Sequence, residues 1–127
     1  MFTEEVRAVL DKPLIARMSV IDPDGYPHTV PVWFGVEGDD LIIISVRDTR
    51  KVDYLQVNSK GAVTIGGDDG AGYLFKGTFT IEPDNGWTRR LTERYEPPEK
   101  VDGLVAEWLP LGMIGLRLKI VKTLKVM

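Results

Sequence analysis

The segment Asp48-Thr49-Arg50-Lys51 has the residue types of an anion-binding site. It follows an apolar run, Leu41–Val46, and opens a stretch with helical spacing. The first turn of a helix presents unbonded backbone N–H groups, to which this segment would add a hydroxyl, a guanidinium and an ammonium group. Basic residues at a helix start oppose the helix dipole, and a bound anion would compensate for this. The segment is therefore predicted to bind a terminal phosphate, and two solvated basic residues are the alternative.

Other groups that could carry out catalysis are few. His28 is the only histidine and there is no cysteine, which excludes disulfides, zinc ribbons, iron–sulfur clusters and thiol nucleophiles. We interpret His28 as an ordinary strand residue, and the glycine-rich Gly66–Gly72 as a hairpin loop because it lacks the Lys-Ser/Thr ending of a phosphate loop. We expect no catalytic side chain and no metal ligand. Three acidic pairs are interpreted as solvated charge: Glu4-Glu5, Asp39-Asp40 and Asp68-Asp69.

The composition is that of one soluble domain covering residues 1–127. Hydrophobic residues make up 43% of the chain, charged residues 28%, and the net charge is −3, which gives no general attraction to nucleic acid or an anionic membrane. The longest uncharged runs are far shorter than the ~20 apolar residues of a membrane span. The acidic start lacks the layout of a secretory signal, so we expect a cytoplasmic protein.

Alternation of apolar and polar residues predicts a mainly β protein. Short turns between the strands favour antiparallel pairing, and six such strands tend to close into a barrel. Pro31 cannot donate a sheet hydrogen bond, so its strand is expected at an edge or a bulge. The apolar Leu41–Val46 is expected to be covered on both faces. The six predicted strands are Leu14–Ile21, Tyr26–Val36, Leu41–Val46, Gly61–Gly67, Tyr73–Glu82 and Met113–Met127.

Helical spacing predicts three or four short helices around this barrel. One is expected to precede the strands, and one would be closed by the Pro97-Pro98 pair. The predicted segments are Thr3–Asp11, Arg47–Asn58, Asp84–Glu96 and a short apolar turn around Leu104, Val105 and Trp108. The second of these helices places the predicted phosphate site directly after the third strand.

Residues Leu14–Phe34, with the turn Asp22-Pro23-Asp24-Gly25 at their centre, resemble the opening hairpin of the pyridoxamine phosphate oxidase-like FMN-binding split barrels. Ile44-Ser45, Thr49-Arg50-Lys51 and Val52–Ser59 resemble the third strand and phosphate-binding helix of that family. The resemblance covers residues 10–83 well and the remainder by strand order. It implies a six-stranded antiparallel split β-barrel that forms a homodimer with two FMN molecules at the subunit interface.

The resemblance also implies the residues of the site. The phosphate would be held by Arg50 and Lys51 with help from Ser45 and Thr49, beside Ile44 on the third strand. The isoalloxazine ring would be lined by Thr29, Val30, Pro31 and Val32. The oxidase itself has an arginine where this chain has Thr29, and it carries a C-terminal Arg and His segment for its substrate. We therefore expect a flavin-dependent reductase or oxidase with another small substrate.

Several functions remain open at this point. The first is hydride transfer through flavin N5 to or from a small molecule, with a nicotinamide as a candidate electron donor. A variant with the deazaflavin F420 would lack the absorption of FMN. A flavin or haem carrier without turnover is a second class, and an oligonucleotide-binding barrel is disfavoured by the absence of a basic groove. Trp87, Trp108 and the long last strand provide more apolar surface than the core of a barrel of this size needs. We therefore expect a homodimer with an apolar interface.

Overall fold

A computed structural model describes residues 1–127 as one antiparallel sheet of seven strands with four α-helices. The strands are β1 Ala16–Ile21, β2 Pro27–Val32, β3 Gly35–Glu37, β4 Asp40–Val46, β5 Lys60–Gly66, β6 Gly72–Pro83 and β7 Met113–Lys125. The helices are α1 Glu4–Leu10, α2 Arg50–Val57, α3 Trp87–Tyr95 and α4 Pro98–Trp108, followed by a 3₁₀ turn at Leu109–Leu111. None of the helices has the length and apolarity needed to cross a membrane.

The prediction of a mainly β fold with short helices is confirmed, but the count of six strands is wrong. The predicted second strand breaks at Trp33-Phe34 into β2 and β3. Before the break, Val32 pairs with Ala16 of β1, and after it Gly35 pairs with Ile42 of β4. The chain changes pairing partner there, and alternation along one strand carries no information about its partner.

The sheet has the strand order β2-β1-β5-β6-β7-β4-β3, so β2 and β3 are its two edges. These edges are consecutive in the chain, separated only by Trp33-Phe34, and three Cα–Cα steps span at most about 11 Å. The sheet must therefore curl round until its edges meet. The prediction of a closed barrel is therefore wrong in this respect: the hydrogen-bonded sheet is open. The chain itself connects its two edge strands, β2 and β3.

Strand β7 connects the two parts of this sheet. It pairs with β6 on one side and with β4 on the other. Strand β3 pairs only with β4, and β4 pairs only with β3 and β7. The hydrogen bonds of β7 are therefore the only sheet pairing that holds β3 and β4 to the other strands.

The main core fills the inside of the curled sheet. Its fully buried side chains include Met18, Phe34, Phe75 and Leu116. A second, smaller cluster lies on the other face of β4, where Ile42 packs with Trp87 and Leu91 of α3. The prediction that β4 is covered on both faces is confirmed. Trp87 is buried within its own chain, so it offers no surface to a partner.

Two predictions about turns and helix ends have opposite outcomes. Gly66–Gly72 is the hairpin loop between β5 and β6, as predicted, and Gly66 and Gly67 have φ of 83° and 95°, which favours glycine. The predicted short apolar turn near Trp108 is instead the end of the full helix α4. That helix starts at Pro98, because proline at the first helical position gives up an N–H group that has no partner there anyway.

Side chains at the end of α3 bind the backbone next to the connection between β2 and β3. The Tyr95 hydroxyl donates to the Leu14 carbonyl (2.7 Å) and accepts from the Phe34 N–H (3.2 Å). Its ring stacks on Trp33 with centroids 5.0 Å apart and planes at 2°. Arg94 donates to the carbonyls of Leu10 and Lys12, both at 2.7 Å. Burial raises the pKa of the Tyr95 hydroxyl further above neutral pH, at which the group is protonated and can donate.

We expect Tyr95→Phe to lower the free energy of unfolding by about 1–3 kcal/mol, because the Phe34 N–H and the Leu14 carbonyl lose a partner in a partly buried place. Urea denaturation measures this directly. Tyr26→Phe is the matched control, since 69% of Tyr26 is exposed and it should change stability by less than about 0.5 kcal/mol. Equal midpoints for the two variants would contradict the role of Tyr95.

A charged cluster centred on Arg117 of β7 links four strands. Its guanidinium donates to Glu37 of β3 (2.6 Å), Asp40 of β4 (3.0 Å) and Glu82 of β6 (2.8 Å). The Arg117 side chain is only 16% exposed. Hydrogen bonds to Glu82 and Glu37 raise the pKa of the guanidinium further above its usual range. One guanidinium therefore donates to carboxylates from three other strands and offsets only part of their negative charge.

Candidate functional site

A cleft of about 530 Å³ opens where β2 ends, β4 ends and α2 begins. The 3₁₀ turn after α4 and the first residue of β7 close its far side. Eight of its eleven lining residues are hydrophobic, and Lys51 is the only charged one. The lining residues are Ile15, Pro31, Val32, Trp33, Ile44, Ser45, Val46, Lys51, Trp108, Leu111 and Met113.

Lys51 gives this cleft one cationic end. Its side chain is half-buried, and this burial lowers the pKa of the Lys51 ammonium below its usual value. No carboxylate lies within ion-pair distance of it. Burying a charge without a partner costs free energy, and a bound anion would remove this cost.

The start of α2 adds hydrogen-bond donors next to Lys51. Thr49 is the N-cap residue, but its side chain makes no capping bond to the first-turn amides. Instead its hydroxyl donates to the Val46 carbonyl (3.2 Å), as does the Ser45 hydroxyl (2.8 Å), and the two hydroxyl oxygens lie 3.3 Å apart. The backbone N–H groups of the first turn are therefore still free to donate hydrogen bonds to an anion.

Five of the nine predicted site residues line this cleft together. A sixth, Thr49, is hydrogen-bonded to one of them, Ser45. Arg50 lies at the same helix start, exposed and without an ion pair, and it does not form part of the cleft wall. The five lining residues are Pro31, Val32, Ile44, Ser45 and Lys51.

The other two predicted residues on β2 lie outside the cleft. The Thr29 hydroxyl is 2.8 Å from that of Ser19 on the exposed face of the sheet. Val30 packs against the main core on the same face of β2 as Val32, which lies at the strand end and contacts both the core and the cleft. His28, on the same strand, stands edge-on to Tyr54 with ring centroids 5.3 Å apart.

Sequence reasoning missed the aromatic part of the cleft. The rings of Trp33 and Trp108 meet edge-to-face, with centroids 5.6 Å apart and planes at 62°. Trp33 could have been found, since it lies two residues beyond Pro31 and strand alternation places both on one side. Trp108, Leu111 and Met113 had no such signal, because α4 and the turn after it bring them to the cleft from 60 residues or more further along the chain.

The sequence of this chain matches a known protein family, and its fold matches solved structures. The sequence model of the family described as pyridoxamine 5'-phosphate oxidase matches residues 2–107. No curated protein matches the chain significantly in sequence.

Solved structures of low sequence identity share the fold. A protein described as an F420 reductase superposes with a TM-score of 0.77 at 19% identity, covering 97% of this chain and 98% of its own. A conserved hypothetical protein from Mycobacterium tuberculosis has a TM-score of 0.79 at 18% identity, covering 98% and 84%. A candidate pyridoxamine 5'-phosphate oxidase from Listeria innocua has a TM-score of 0.74 at 18% identity, covering 97% and 96%.

Proposed function

The chain belongs to the pyridoxamine 5'-phosphate oxidase family, and on this basis we propose that it is an FMN-binding oxidoreductase acting on a small molecule. The cofactor phosphate would lie at the start of α2 and the ring along Pro31 and Val32 at the end of β2. The observation that carries this proposal is Lys51, a half-buried cation without a carboxylate partner at one end of an apolar cleft.

The phosphate end fits the groups that the structure gathers there. Lys51 supplies a point charge, the first turn of α2 supplies amides, and Arg50 is free to turn its guanidinium toward an anion because no carboxylate holds it. The hydroxyls of Ser45 and Thr49 share the Val46 carbonyl and keep their lone pairs as acceptors for the amides or for water. Lys51, Arg50 and the amides together can hold a phosphate dianion, and either hydroxyl would join them by turning its hydrogen from the Val46 carbonyl to the phosphate.

The ring end fits a flat apolar group with a polar edge. Pro31 and Val32 form part of an apolar wall, and β2 is an edge strand, so alternate backbone groups point away from β1 and have no partner in the sheet. Such groups can bond the polar edge of a flavin ring.

FMN, when bound, would supply hydride transfer at its N5 atom. The chain contributes binding, orientation and the exclusion of water by its apolar walls, and this requires no acidic or basic side chain beside the reacting atoms. We propose a nicotinamide as the electron donor. Thr29 stands where the vitamin B6 oxidase has an arginine, so the substrate is expected to differ from the pyridoxine phosphates.

The absorption spectrum of the purified protein, with the released cofactor identified by mass, tests this proposal. An oxidised flavin spectrum and the mass of FMN are the expected result. The deazaflavin F420 is the second candidate, because the F420 reductase shares the fold over nearly the whole of both chains. Bound FMN that no nicotinamide reduces would indicate a carrier, and a protein that takes up neither cofactor would refute the proposal.

We also propose that the protein is a homodimer whose second copy covers the open side of the cleft. The apolar rim residues Ile15 and Leu111 are 45% and 56% exposed, and Val121 of β7 is 78% exposed. A stable dimer is expected to bury at least about 1,200 Å² in total. Light scattering at micromolar concentration with FMN present would show a single mass of one chain if this is incorrect.

The affinity for FMN is expected to fall as the pH rises through the lowered pKa of Lys51. Below that pKa the ammonium is already charged; above it, binding the phosphate must first restore the proton, which costs affinity. Titrations of FMN between about pH 7 and pH 9.5 measure this slope. Riboflavin has the same ring but no phosphate and should show no such slope. Lys51→Arg, which stays charged, should flatten it, and an unchanged slope in that variant would exclude Lys51 as its source.

A further inference from the structure

We propose that the FMN-loaded cleft takes a neutral, planar aromatic substrate held against Trp33 and Trp108, and that it discriminates against phosphorylated molecules. This inference rests on the proposed function, since it concerns the part of the cleft that FMN would leave open. It names a substrate class and two residues that determine specificity.

The charge distribution of the cleft argues for a neutral substrate. Lys51 is its only charged lining residue, and the phosphate of FMN would neutralise it. A second anion in the same cleft would then be desolvated without any cation as a partner, which is strongly unfavourable. The uncharged polar side-chain groups of the lining are the Ser45 hydroxyl, which already donates to the Val46 carbonyl, and the indole N–H groups of Trp33 and Trp108. The cleft therefore offers little to a sugar or an amino acid, which need several hydrogen bonds.

The aromatic residues of the cleft argue for a planar substrate. The Trp33 ring is fixed by its stack on Tyr95, whose hydroxyl is bonded on two sides. Trp108 meets it at 62°, so the two indoles form a rigid corner. An aromatic ring stacked on one indole can meet the edge of the other, and both arrangements are favourable for aromatic pairs.

Apolar residues at the rim of the cleft extend the surface that the two indoles form. Leu111 is 56% exposed, Ile15 is 45% exposed, and both line the cleft together with Met113. Exposed apolar side chains gathered in a concave place, with few polar groups among them, mark a ligand site. The neighbouring Leu109 is also exposed, at 46%, but it lies outside the cleft lining and therefore serves as a control.

Equilibrium dialysis of the FMN-loaded protein against 2-naphthol and 2-naphthyl phosphate tests the inference, because the two probes differ only in the phosphate. We expect 2-naphthol to bind about tenfold more tightly or better. Trp108→Ala should weaken 2-naphthol by about tenfold through the loss of one aromatic wall, whereas Leu109→Ala should leave it unchanged.

Two results would overturn the inference while FMN binding stands. One is equal or tighter binding of 2-naphthyl phosphate to the loaded protein, and the other is unchanged binding of 2-naphthol to Trp108→Ala. If the protein takes up no FMN, the proposed function fails separately. The same dialysis on the cofactor-free protein then still tests the aromatic site. Equal binding of 2-naphthol to the wild type and to Trp108→Ala would overturn it.

Discussion

Replacing Arg50 and Lys51 together by alanine is expected to weaken FMN binding by about 3 kcal/mol, more than a hundred-fold. Each residue would give a charge-assisted bond to the phosphate, and Lys51 should contribute the larger part because it is half-buried while Arg50 is exposed to solvent screening. The amides at the start of α2 remain in the variant, so binding should be weakened rather than abolished. Fluorescence titration of FMN gives the affinity.

Riboflavin separates a phosphate contact from damage to the fold, because it should bind wild type and the double variant nearly alike. Arg47→Ala removes an exposed positive charge three residues before Arg50 and controls for net charge. Equal losses of FMN and riboflavin would indicate damage to the fold or to the ring site, and no loss of either would show that Arg50 and Lys51 do not bind the phosphate. The flavin proposal would then lose the residues that support it best.

A larger effect on stability is expected at the other side of the sheet. Arg117→Met should lower the free energy of unfolding by about 2–4 kcal/mol, because it leaves Asp40 and Glu82 without a cation and Glu37 with only the more distant Arg90, at 3.9 Å. The Arg117 side chain is 16% exposed, while the carboxylate side chains are 25–48% exposed, so solvent relieves only part of this repulsion. Urea denaturation at neutral pH gives the difference.

Arg89→Met is the matched control for this variant. Arg89 also donates to a carboxylate at 2.9 Å, but Asp102 is 92% exposed and the pair stands alone. Its loss should change stability by less than about 1 kcal/mol. If the two variants were equally stable, the Arg117 cluster would be no more than a set of surface ion pairs.

The strands could be found from the sequence because alternation is a local property. All six predicted runs are extended in the structure, and Pro31 lies on an edge strand as its missing N–H requires. The break at Trp33-Phe34 could not be found, since it depends on which strands lie beside Ala16 and Ile42. The turn predicted around Leu104 and Trp108 is part of α4, but the first turns of this helix were missed because Pro97-Pro98 signals a helix end as well as a helix start.

The residues of the proposed phosphate site could be found from the sequence, whereas the aromatic part of the cleft could not. Thr49-Arg50-Lys51 form a contiguous motif at a helix start, which local rules recognise. Trp33 and Trp108 stand 75 positions apart, and only the packing of α3 and α4 beside the sheet brings them together. Within Thr29–Val32 only the last two residues line the cleft, because they lie at the end of β2, and alternation alone does not show where along a strand a cleft begins.

The position of β7 sets the order in which the protein can fold on the ribosome. Strands β3 and β4 emerge early, but their only partner in the rest of the sheet is β7, synthesised some 70 residues later. At ordinary translation speeds the apolar Leu41, Ile42 and Ile43 would wait several seconds for their neighbour. The nascent chain therefore exposes an unpaired apolar strand edge until β7 has been synthesised, and this edge is prone to aggregation during that time.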